Sequence, residues 1–134
     1  MVKAKKPDAL QNQLARALAD YDNLRKRTET EKGLWLIFAK QELLLKLLPV
    51  LDTLEVAQKH LKDKGLAMAL SQFQNIFKEE GIVEIEGGKF DAKIHEAVET
   101  LAGGEKDRVA EVILKGYKFK DGPVIRHAKV KVYK

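Results

Sequence analysis

Side chains able to make or break a bond are few in this sequence, and none has a helper at a useful spacing. Ser71 is the only serine, and helical spacing sets it beside the apolar Leu70, a poor seat for an activated nucleophile. His60, His95 and His127 fall on a predicted helix, loop and strand, and no two have the spacing of a metal site. His95 follows Asp91 by four, which predicts a cap by Asp91 and a structural hydrogen bond by His95. Gly87-Gly88-Lys89 lacks the upstream glycine and the following Ser or Thr of a phosphate loop; Phe90 follows instead, and the segment reads as a turn. With no cysteine, disulfides, thiolate zinc sites and cysteine nucleophiles are excluded. The chain reads as a non-enzyme, with no catalytic residues, no metal and no cofactor.

Charge is the more informative chemistry. The net charge is +5, with basic ends and a slightly acidic middle, a surface suited to nucleic acid or to an acidic protein partner. Arg25-Lys26-Arg27 is a basic run on a predicted helix, either a solvated face or a docking point. Lys129-Val130-Lys131-Val132-Tyr133-Lys134 reads either as a basic ribbon for RNA or as the soluble, edge-protecting face of a strand.

These groups must be held by two kinds of element. Residues 8–48 contain no proline and one glycine, Gly33. Within them Leu10, Leu14, Ala17, Tyr21, Leu24, Thr28, Glu31, Trp35 and Phe38 step by four and three without a miss. That 3.5-residue period keeps one seam facing a partner helix. The chain has no second helix of similar length, so a homodimer is the simplest partner. Thr28 and Glu31 are polar at consecutive seam positions, with Gly33 two residues on. This stretch is expected to melt before the leucine-rich region that follows.

After Leu34 the apolar stripe widens, and Leu44, Leu48 and Leu51 join the predicted dimer interface as part of a helical bundle. Pro49 predicts a kink or a restart. A second helix is expected over about 66–80, ended by Gly81. Beyond it the period changes. Residues 82–86 and 108–117 read as strands, the second with Ala110, Val112 and Leu114 on one face and Val109, Glu111 and Ile113 on the other. Lys120-Asp121-Gly122 carries a hairpin signal, and Val124, Ile125, Val130 and Val132 follow. The fold class is therefore α+β: a helical dimerisation region over residues 1–80 and a small antiparallel β-domain over 81–134. The N-terminus is basic with no apolar stretch behind it, and the run over residues 43–51 is far short of the roughly 20 residues a membrane span needs. A soluble, cytoplasmic protein is expected, with no membrane partner.

Several segments, in order, resemble the GrpE family of chaperone cofactors. They are Asn23-Leu24-Arg25-Lys26-Arg27, Leu47-Leu48-Pro49-Val50-Leu51-Asp52, Gly81-Ile82-Val83-Glu84-Ile85 and, most specifically, Phe90-Asp91-Ala92-Lys93-Ile94-His95-Glu96-Ala97-Val98. Lys115-Gly116-Tyr117 and the spaced Arg126, Ala128, Val130 and Val132 reinforce the resemblance. Ala92 stands where the family usually has proline, Pro123 where a basic residue is common, and Lys129 where methionine is common. The family's long leader is reduced here to a few basic residues, so any role of it is expected to be weakened.

The resemblance implies two long helices paired in parallel as a coiled coil, a four-helix bundle at the dimer centre, and a small β-domain in each chain. It also implies a partner, the ATPase domain of a DnaK-type chaperone, whose ADP release the protein promotes. By position it implies contacts to that partner from Arg25, Ile113, Lys115, Gly116, Tyr117, Gly122 and Arg126. The rival from another class is a coiled-coil dimer whose basic β-domain binds nucleic acid, with affinity falling steeply as salt rises.

Overall fold

A computed structural model describes residues 8–134. The basic residues 1–7 lie outside the described part. Helix α1 (Ala9–Leu61) follows from a long stretch of helix-forming Leu, Ala, Lys, Glu and Gln with no early breaker. Asp8 starts it: its carboxylate accepts the Gln11 N–H at 2.7 Å, satisfying one of the orphan donors of the first turn. The helix runs on through Pro49 and does not restart there. Pro49 forfeits one backbone hydrogen bond, and the Thr53 hydroxyl donates to the Pro49 carbonyl at 3.0 Å.

The chain divides into two compact units, Met1–Lys40 and Gln41–Lys134. The division falls inside α1. In the N-terminal unit every large apolar seam residue is exposed. A Cβ added at Gly33 would meet nothing within 4 Å. Gly33→Ala is therefore expected to stabilise the helix by about 1 kcal/mol. Far-UV circular dichroism on heating should show two transitions, and Gly33→Ala, like Thr28→Leu with Glu31→Leu, should raise only the lower one. A single transition unmoved by these substitutions would rule the proposal out.

In the C-terminal unit, α1 ends at a left-handed Lys62 with φ 48°. The Gln58 side chain brackets the turn, donating to the Asp63 carbonyl at 2.9 Å and accepting the Asp63 N–H at 3.1 Å. Asp63 then caps α2 (Lys64–Glu79), accepting the Leu66 N–H at 2.8 Å. The helix starts two residues earlier than the spacing predicts because this cap lies ahead of its first apolar residue. Gly81 ends it as expected: at φ 72° its N–H reaches back to the Lys78 carbonyl at 3.2 Å.

Six strands follow: β1 (Ile82–Glu84), β2 (His95–Leu101), β3 (Val109–Leu114), β4 (Tyr117–Phe119), β5 (Val124–Arg126) and β6 (Ala128–Tyr133). They form two three-stranded sheets, ordered β1-β4-β5 and β2-β6-β3. All pairs are antiparallel except β2 with β6, which is parallel, so the second sheet is mixed. The run read as one strand over 108–117 breaks at Lys115-Gly116 and divides between the two sheets. Two register shifts in β3 also break its expected alternation: Val109 and Val112 lie opposite Val132 and Val130, and Glu111 opposite Lys131.

One buried set, from the helices and the first sheet, is Leu48, Leu51, Phe77, Ile82, Tyr117, Phe119 and Ile125. The other gathers Ile85, Ala128, Val130 and Val132, with Phe90, Ile94, Val109 and Val124 packed against it. His95 is buried beside this second core. Its Nδ1 accepts the Asp91 N–H at 3.0 Å, so Nε2 carries the proton and donates to the Glu86 carbonyl at 2.7 Å. The Asp91 carboxylate accepts the Lys93 N–H at 3.0 Å and closes a turn rather than capping a helix. His95 is thus a structural histidine, as its spacing predicts.

Candidate functional site

The apolar faces of α1 are the first feature with functional meaning. Leu10, Leu14, Ala17, Tyr21, Leu24, Trp35 and Phe38 are exposed along the N-terminal unit, as an unpartnered seam must be. Further on, the leucines separate. Leu48 is 1% exposed and Leu51 4%, both covered by their own chain, and Leu44 is half-buried. The uncovered set on this part of α1 is Leu43, Leu45, Leu47, Val50, Val56 and Leu61, with Met68 and Ile76 on α2. Leu43, Leu47 and Val50 step by four and three, one residue round the helix from the buried set. Leucines occupy both faces, so periodicity alone could not tell the covered from the open one.

The polar residues facing the sheets lie on the buried side of α1. Gln41 donates to the Val124 carbonyl at 3.0 Å. Asp52 receives a two-pronged bond from Arg126: Nη1 to Oδ2 at 2.6 Å and Nη2 to Oδ1 at 2.9 Å. Arg126 also donates from Nε to the Lys115 carbonyl at 3.0 Å, and Nη2 donates to the same carbonyl. Its guanidinium stands 5.9 Å from the centroid of the Tyr117 ring. The Lys115 ammonium in turn pairs with Glu55, one helical turn beyond Asp52, at 3.3 Å.

Tyr117 is 6% exposed and packs edge-on against Phe77, with centroids 5.3 Å apart. Burial, and then the carboxylates of Glu55 and Glu84, push its phenol well above the usual range, so the ring stays neutral. Gly116 is buried where two backbones cross: an added Cβ would stand 2.7 Å from the Arg126 carbonyl oxygen, closer still to the Ala128 nitrogen. The close approach expected of Gly116 is therefore made to its own chain.

Beside this junction the surface opens. Asp52, Glu55, Val56 and Lys59 of α1 face Val112, Ile113, Leu114 and Lys115 across a shallow groove of about 130 Å³. Ile113, 49% exposed, is its most prominent apolar side chain on β3. Gly122 lies in the β4–β5 hairpin that Lys120-Asp121-Gly122 predicts, its N–H bonded to the Phe119 carbonyl at 3.3 Å.

Of the residues assigned to a partner, Ile113 and Lys115 reach this groove, while Gly116, Tyr117 and Arg126 lie behind it and Gly122 sits in the hairpin. Arg25 belongs to the other unit, where it pairs with Asp22 at 3.0 Å. Lys26 and Arg25 hold the Asp22 carboxyl below the usual range. Such exposed pairs exchange readily for another carboxylate.

Residue-by-residue reading missed Gln41, Asp52 and Glu55. The signal was a carboxylate within a leucine-rich stretch, one turn after Leu48. The basic ribbon of β6 is partly neutralised, because Lys131 pairs with Glu99 at 3.4 Å and with Glu111 at 3.6 Å. Among the described residues, no helix is long and apolar enough to cross a membrane.

Comparison with known proteins agrees with the short segments. A sequence model of the GrpE family matches residues 2–134. Protein GrpE of Clostridium tetani is 45% identical over 135 residues, covering 93% of this chain and 66% of that protein. Protein GrpE of Clostridium perfringens is 41% identical over 137 residues, covering 95% and 64%, and that of Corynebacterium efficiens 38% over 122, covering 87% and 51%. The chain spans about two thirds of the length of the Clostridium relatives it matches. With the family pattern running from residue 2 to the last residue, the chain belongs to the GrpE family.

Proposed function

We propose that the chain is an adenyl-nucleotide exchange factor. It acts as a cytoplasmic homodimer that binds the ATPase domain of a DnaK-type chaperone and promotes ADP release, supporting protein folding and the response to heat stress. The observation that carries this reading is the GrpE family match across residues 2–134. The uncovered seam of the N-terminal unit and the open leucine face of residues 43–61 supply the apolar surface a parallel dimer and its central bundle need. Residues 1–80 then serve dimerisation, and residues 81–134 face the chaperone through Ile113, Lys115 and Gly122, with Gly116, Tyr117 and Arg126 behind them. Arg25 adds a contact from the long helix.

No bond is made or broken. A partner that binds the open nucleotide cleft better than the closed one shifts the population toward open, and ADP leaves faster. The nucleic-acid rival is not favoured, because Lys131, within its basic ribbon, is already held by two carboxylates. In a stopped-flow assay with a fluorescent ADP analogue, the chain is expected to accelerate release from a DnaK-type chaperone by at least about tenfold, a shift of roughly 1.4 kcal/mol in the barrier. A chain ending at Gly81 should not. No acceleration by the full chain, or full acceleration by the shortened one, contradicts the assignment.

A further inference from the structure

We propose that Asp52 is a positioning residue, one that locks Arg126 as an internal strut and so sets the attitude of the β4–β5 hairpin and the Ile113–Lys115 edge on α1. This rests on the exchange-factor reading and refines it, because it removes Arg126 from the set of direct contacts. The guanidinium makes four hydrogen bonds to its own chain, two to Asp52 and two to the Lys115 carbonyl. Its side chain is 16% exposed, and the Tyr117 ring lies beside it. Little of its donor capacity is left for a partner.

The two-pronged geometry matters. A planar fork on a carboxylate fixes direction as well as distance, which a single point contact does not. One bond network ties three elements: α1 through Asp52, the β3–β4 link through the Lys115 carbonyl, and β5 through Arg126 itself. Glu55 repeats the device one turn on by holding the Lys115 ammonium. The residues left to meet the chaperone hang from this strut. A loose strut lets them sample wrong attitudes, and binding falls by the fraction of time spent there.

The test is a double-mutant cycle on affinity for the chaperone ATPase domain, using the full chain with Asp52→Asn, Arg126→Ala and both together. Measurements are made well below the melting temperature, with circular dichroism confirming that each variant is folded. Each single change is expected to weaken binding about tenfold, and the pair no more than either alone, because both remove one strut. Asp52→Glu, which keeps the carboxylate, should recover part of the loss.

If Arg126 touches the chaperone directly, freeing it by Asp52→Asn should leave binding unchanged or tighter while Arg126→Ala still weakens it; that pattern overturns the proposal. Asp52→Asn lowering the melting temperature with affinity unmoved assigns a purely structural role and overturns it equally. A wild-type chain that neither binds the ATPase domain nor speeds ADP release removes the exchange-factor reading itself, and this proposal with it.

Discussion

Replacing Gly116 with alanine is expected to cost the C-terminal unit about 3 kcal/mol or more. At the other glycines a new Cβ meets either nothing within 4 Å or a side chain. At Gly116 the nearest atoms are the Ala128 nitrogen, the Arg126 carbonyl oxygen and the Ala128 Cα, all backbone. Ala128 is fully buried at the start of β6, and its N–H is bonded to the Ile94 carbonyl at 3.1 Å. It cannot retreat without breaking that bond and shifting the second core. The other constraint is the strut, since Arg126 approaches the Lys115 carbonyl one residue away.

Against a total stability of about 5–15 kcal/mol for an ordinary domain, such a loss is a large fraction. The measurement is urea unfolding followed by near-UV circular dichroism of the tyrosines, of which Tyr117 and Tyr133 lie in this unit. Gly87→Ala is the control, because its Cβ would meet only the Val109 side chain at 3.5 Å, an ordinary contact. That variant should unfold within about 1 kcal/mol of wild type. A Gly116→Ala chain as stable as the Gly87→Ala chain would mean that the two backbones do not cross as closely as described.

What could be read from the sequence was what repeats locally. The long helix follows from its period and lack of breakers, α2 from its apolar spacing and Gly81, and the hairpin from Lys120-Asp121-Gly122. What could not be read depends on residues far apart in the chain. Strand β2 shows no alternation, because residues 96–100 are all exposed. It is a strand only because β6, about thirty residues on, runs parallel beside it. The register shifts in β3 likewise have no local signature. Asp52 and Arg126 are 74 positions apart, and neither announces the other. The family resemblance supplied Arg126 as a partner contact. It also marked Asp52, but not the bond between the two, because a family motif marks positions without saying which atoms meet.

The division between neighbouring leucines gives the second large effect. Leu48, 1% exposed, packs within its own chain, whereas Leu47, 41% exposed, does not. Leu48→Ala is therefore expected to destabilise each protomer by about 2–5 kcal/mol through lost transfer energy and the cavity left behind. The open face beside it should still hold two chains together. Leu43→Lys with Leu47→Lys should do the reverse. Both side chains are solvent-exposed in the single chain, so the substitutions cost the protomer little. Buried in a bundle, two unpaired ammonium groups per chain would have to be desolvated without partners, which no ordinary interface tolerates. Sedimentation at micromolar concentration should give about twice the chain mass for wild type and for Leu48→Ala, and the monomer mass for the double lysine variant. Melting separates the two cases further: the Leu48→Ala midpoint falls independently of concentration, while dissociation makes the lysine variant's helix content concentration-dependent. If Leu48→Ala splits the dimer while the double lysine variant sediments as wild type, the association face is the Leu44, Leu48 and Leu51 stripe after all. The sheets would then have to leave α1 for the two chains to meet.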